Sequence, residues 1–241
     1  IIAVNVAIFW LKVWMKNSTN ATLAEYYSYI YDVVLSVAIS VVGVFYTGVA
    51  EGLTHAENHR TDTEHNDSLI FKLFFVQFIN AYASLYYTAF AMKQLEGGCD
   101  GYLRCMDDLC YLVATILVER LAFTFLYDNL IPRLNAWKRY QEETAGADVS
   151  KFTEAESQYI LDPYDEAMEM INRFMDQVIM FGYMVLFVTA FPMGPLIGYF
   201  SNVYQINQFG YSLLYRKQRN PPKLAQDIGS FQGCFENISK A

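Results

Sequence analysis

Long apolar runs, each near the length of a bilayer crossing and separated by dense polar loops, constrain this 241-residue chain more than any other feature. About 20 helical residues cross a hydrocarbon core. Within it, only helices or closed barrels satisfy the backbone. The runs at 29–50, 69–92, 109–131, 174–191 and 195–215 read as spanning helices, and 1–15 reads as the truncated end of another. A further span starts from residue 228. The expectation is one transmembrane domain over 1–241, all-α, a polytopic helical membrane protein. The chain begins at Ile1 inside an apolar run, without Met, so it reads as a piece of a longer protein.

Hydrophobic residues make up 54% of the chain and aromatic residues 17%, while the net charge is -8. That balance belongs to a membrane protein and excludes nucleic acid as a partner. No nucleophile–base set, phosphate loop or metal motif is present, so an enzyme is not expected.

Polar side chains inside the spans are the functional candidates, because ionisable groups at membrane depth are costly. Asn80 lies in the middle of 69–92. Glu119 and Arg120 lie inside 109–131, with Asp128 near the end that Pro132 is expected to close. Glu119 and Arg120 are adjacent and point to different faces; they either line a path or pair with neighbouring helices. A Phe-Pro-Met-Gly-Pro turn at 191–195 joins the last two spans. Arg173, Asp176 and Gln177 precede that pair, and Asn202, Gln205, Asn207 and Gln208 follow the turn.

The loops set an orientation. Segments 51–68, 132–173 and 216–227 carry Arg60, Arg133, Lys138, Arg139, Lys151, Arg173, Arg216, Lys217, Arg219 and Lys223. The opposite loops hold Lys16, Lys93 and Arg104, so the first set is expected in the cytosol. Asn17 and Asn20, which match the glycosylation acceptor pattern, then face outward, as do Cys99 and Cys105, which could form a disulfide there. Cys110 and Cys234 read as structural. His55, His59 and His65 share the polar segment 51–68. His55 and His59 have helical spacing, but a solvated loop with helix-capping side chains is the expected reading rather than a metal site.

A family becomes visible at Glu57 to Thr61, Lys72, Phe74, Phe78 to Tyr82 and Tyr87 to Phe90. It continues at Met106 to Cys110, Phe181 to Tyr183, Phe187-Val188, Ala190 to Pro192, Pro195-Leu196 and Ala225 to Gly229. These residues resemble the anoctamins, calcium-activated lipid scramblases and chloride channels. The resemblance implies the family's third to eighth helices, lining a membrane-facing groove for lipid headgroups or ions. It implies membrane lipids as partners and a plasma-membrane or endoplasmic-reticulum location, other organelle membranes staying open. The family's usual dimer helix falls outside this sequence, so a homodimer and assembly with other membrane-protein subunits both stay open.

The resemblance also locates a calcium site on the sixth to eighth helices. Its positions fall here on Thr124 and Asp128, on Arg173 and Asp176, and on Gln205 and Phe209. The family's acids are thereby reduced to Asp128 and Asp176, with Arg173 among them. Since Arg173 and Asp176 are three residues apart on one helix, they are expected to pair in place of calcium. A gapped alternative would use Glu166 and Glu169; the ungapped alignment is preferred. The family's hinge glycine is replaced near Val118, and the sixth helix is one residue shorter. No cofactor is expected. The implied function is movement of phospholipids or ions along the groove without calcium control. The alternative is a non-transporting structural subunit or tether in a larger membrane assembly.

Overall fold

The computed structural model describes residues 21–91, 102–143, 153–219 and 228–240, with Trp10, Trp14 and Pro222. The described elements are helical: α1 (Ala21–Glu57), α2 (Asp62–Tyr86), a π-helical turn (Tyr87–Ala91), α3 (Tyr102–Glu143), α4 (Glu154–Tyr159), α5 (Glu166–Leu186), α6 (Gly194–Tyr215) and α7 (Phe231–Lys240). Among the described residues, three stretches are long and apolar enough to cross a membrane: Val33–Glu57, Asp62–Ala91 and Met106–Glu142. At 1.5 Å per residue, the 21 residues of α5 and 22 of α6 also reach about 30 Å.

Two expectations about helix ends are corrected. Segment 51–68 is a tight turn between two helices rather than a loop. Asn58 takes a left-handed conformation (φ 51°) that closes α1. Thr61 then caps α2 by accepting from the Glu64 N–H. Pro132 does not end its helix, since α3 runs through it to Glu143. The backbone bond that proline removes is supplied from elsewhere, as described below.

Packing is arranged for lipid. Val33, Val37, Val41, Val44 and Phe45 on α1, and Phe71 and Phe75 on α2, are exposed. One buried cluster joins Leu35, Tyr82, Leu112, Leu117, Ile179 and Tyr183. A second joins Leu69, Leu73, Met175, Val178 and Phe231, on the side where α7 meets α5. Lipid tails give little hydrophobic drive between helices, so close backbone approach and interhelical hydrogen bonds carry the packing. Asn80 Nδ2 donates to the Ile39 carbonyl of α1 at 2.8 Å. Tyr82 donates to the Ile179 carbonyl of α5 at 2.6 Å. Its hydroxyl occupies the place a Cβ at Gly182 would take.

The polar end of the bundle is bolted as well. Lys72 bonds Glu57 Oε2 at 2.6 Å and Ser68 Oγ at 2.6 Å, closing the α1–α2 hairpin with two residues of the family pattern. Lys217 Nζ donates to Glu169 at 2.9 Å. Ser230 donates to Asp67 at 2.6 Å, fixing the start of α7 against α2.

Candidate groove and its polar lining

A cavity of about 410 Å³ opens between α1, α2, α3 and α5. Asn80, Arg120, Thr124, Asp128, Arg173 and Asp176 all line it. The structure thus brings six of the polar residues singled out in the sequence to one cavity. Glu119, Gln177, Asn202, Gln205, Asn207, Gln208 and Phe209 stand outside the lining.

The central ion pair is between helices, not within one. Arg173 Nη1 donates to Asp128 Oδ2 at 3.1 Å, and Nη2 to Oδ1 at 2.9 Å. This bidentate fork joins α5 to α3. The expected Arg173–Asp176 pair is therefore corrected. At three residues' spacing the two side chains can meet, but Asp128 offers both oxygens face-on to the guanidinium. Asp128 is buried, at 7% exposure. Arg173 stacks over the Phe209 ring with its guanidinium carbon 5.5 Å from the centroid. Asp176 opens into the cavity, in the combined field of Arg120 and Arg173. Arg120 sits 5.5 Å from the Tyr183 ring centroid.

On α6, Gln205 accepts from Gln177 Nε2 at 2.7 Å and donates to Ser201 Oγ at 3.4 Å. Glu119 accepts from Ser40 Oγ at 3.0 Å, a bond that crosses from α3 to α1. Of its two open roles, pairing with a neighbouring helix is the one seen. Glu169, the gapped alternative, is held by Lys217 and lines the cavity at its polar end.

These residues do not fit a calcium ion. Ca²⁺ takes about 6–8 oxygen ligands. Both Asp128 oxygens accept from Arg173, the Gln205 amide oxygen is already bonded, and Phe209 has no donor oxygen. Arg173 also adds a positive charge beside these oxygens, which disfavours a cation there. Among the described residues, no group of three or more His, Cys, Asp or Glu is placed to hold a metal. The three histidines neighbour one another, His65 lying 5.4 Å from His55 and 6.1 Å from His59 between ring centroids. His59 Nε2 lies 2.8 Å from Glu57 Oε2. Asn17, Asn20 and Cys99 lie outside the described residues, as does the side chain of Cys105. Cys110 and Cys234 are free thiols.

Two features went unread in the sequence. The first is one face of α1: Ser40, Gly43, Thr47, Gly48 and Glu51 all line the cavity. Their offsets of 3, 7, 8 and 11 from Ser40 are the signal, a helical stripe of small and polar residues within an apolar helix. The second is Arg216, which donates from the end of α6 to the backbone carbonyl of Asp128 at 2.9 Å. Its signal was the four-residue interval between Asp128 and Pro132.

Comparison with known proteins adds the lineage. The family model described as "Anoctamin: Calcium-activated chloride channel" matches residues 1–241. Human anoctamin-4 is 28% identical over 217 residues, covering 83% of this chain and 23% of the relative. Human anoctamin-3 is 25% identical over 216 residues, covering 84% and 22%. Human anoctamin-7 is 27% identical over 245 residues, covering 91% and 26%. The chain thus spans about a quarter of the length of these relatives. A match over the whole sequence, with membrane-length apolar helices in an all-helical bundle, identifies this integral membrane protein as a member of the anoctamin family.

Proposed function

We propose that the protein moves phospholipids or ions along the groove between α1 and α3, and that it does so without calcium control. One observation carries this reading. The small, polar face of α1 looks across the cavity at Arg120, Thr124 and Asp176, while the outer faces of the same helices are apolar. A polar track beside lipid lets a charged headgroup or ion cross without full desolvation, and the lipid tails stay outside. Control by calcium needs uncompensated carboxylates that a cation would draw together. Here Arg173 already neutralises Asp128.

A specific contact favours the second reading, a structural subunit or tether. The Ser40–Glu119 bond ties the two groove walls together. In the transport reading this bond is a gate that breaks as substrate passes.

The test is reconstitution of the full-length protein into vesicles with labelled phospholipids, with ion flux measured in parallel. Transport at the same rate with and without calcium is expected. An added Cβ at Gly43 or Gly48 meets nothing within 4 Å. Gly43→Trp or Gly48→Trp puts a bulky ring on the cavity lining and is expected to block transport. Transport that ignores both substitutions would place the path elsewhere. No transport of lipid or ion under any condition would favour the structural reading.

A further inference from the structure

Proline has no N–H to give the carbonyl four residues back, and its ring crowds that oxygen. Pro132 lies inside α3, so the orphaned carbonyl belongs to Asp128. Left unpaired at this depth, it would be costly. Arg216 Nη1 donates to it at 2.9 Å. The Asp128 carboxylate meanwhile takes both terminal nitrogens of Arg173. One residue thus receives two guanidinium groups, from α5 and from the end of α6. Arg216 is steadied by the Tyr211 ring, 5.0 Å from its guanidinium carbon.

The chain around Arg216 also grips α3 further along. Asp162 N donates to the Arg216 carbonyl at 3.1 Å, and Gln218 N to the Asp162 carbonyl at 2.9 Å. Arg139, near the end of α3, donates to the Leu161 carbonyl at 2.9 Å and lies 3.6 Å from Asp162 Oδ1. The last turns of α3 are therefore held at two levels, directly by Arg216 and through Leu161 and Asp162.

We propose that Arg216 is a positioning residue that stands in for the amide missing at Pro132, and that with Arg173 it clamps Asp128 so that α3 stays continuous through its proline and docked on α5 and α6. The clamp is a built-in latch on the helix that walls the groove. It rests on the transport reading only for its consequence, that the docked groove wall needs no bound ion.

The latch is tested apart from transport by amide hydrogen exchange of the full-length protein in lipid nanodiscs, read over residues 133–143. Arg216→Met should raise exchange there about tenfold, as expected for one lost hydrogen bond to a charged donor. In a Pro132→Ala background the backbone donor is restored, and the same substitution should have at most a small effect. No rise in the single variant, or an equal rise in both backgrounds, would overturn the proposal. If Arg216→Met yields no folded protein, recovery of folded yield in the Pro132→Ala background supports the latch, and failure to recover overturns it. Exchange does not report transport, so loss of the transport reading would leave this result intact.

Discussion

At the scale of single residues, Asp128 bears the most. Asp128→Asn keeps the shape but leaves Arg173 without its counter-charge. Because Arg173 keeps 24% of its side-chain surface exposed, the cost falls below that of a fully buried pair, at about 2 kcal/mol. A drop in the detergent-solubilised protein's melting temperature checks this, and an unchanged value would mean the pair adds little. Gly182→Ala puts a methyl group where the Tyr82 hydroxyl sits, and against the ring carbon that carries it. Overpacking and the lost bond to Ile179 should together destabilise by roughly 1–3 kcal/mol. Partial recovery of the melting temperature in a Gly182→Ala, Tyr82→Leu double variant would show that the Tyr82 ring and hydroxyl are the clash. Such contacts were only partly legible in the sequence. Position 173 was readable because a charged side chain stood at the edge of an apolar run. Its partner was not, because spacing along one helix favoured Asp176, while the fold brings Asp128 across from another. That choice depends on how α3 and α5 are rotated, which no local pattern records.

At the scale of elements, the all-helical fold class was legible in the apolar runs, while the helix ends at 51–68 and at Pro132 were not. Helix α1 continues past residue 50 and α3 past Pro132, because a helix leaving the membrane keeps its backbone bonds in water. Polarity marks the interface, while caps mark the ends. Thr61 at the start of α2 and Asn58 after α1 were the residues to read for that. Proline misled in the opposite sense, since a side chain distant in sequence repaired the broken ladder. The α1–α3 contact yields its own prediction. Ser40→Ala removes the donor to Glu119 across the groove walls. If that bond is a gate, the variant should transport faster than wild type, about tenfold at most for one hydrogen bond. An unchanged rate in the vesicle assay would show that another step limits passage.

At the scale of the whole molecule, the polar end of the bundle gathers the bolts Lys72–Glu57, Lys217–Glu169 and Arg139–Asp162. This is the end that the arginine- and lysine-rich segments assign to the cytosol. In a variant stripped of its native cysteines, Cys99 and Cys105 among them, a cysteine placed by Arg60→Cys should stay unlabelled by an impermeant thiol reagent applied outside intact cells, and react once they are permeabilised. Labelling in intact cells would invert the orientation. We propose that the ion pair between α3 and α5 holds these two helices together without a bound cation. Arg173→Glu turns that pair into a cluster of carboxylates with Asp128 and Asp176, which repel one another until a cation binds. The most direct measurement is the melting temperature of wild type and of Arg173→Glu as calcium is titrated. Calcium should leave wild type unshifted and raise the variant's melting temperature. A wild-type protein stabilised by calcium, or a variant indifferent to it, would mean that the Arg173–Asp128 pair does not stand in for a cation.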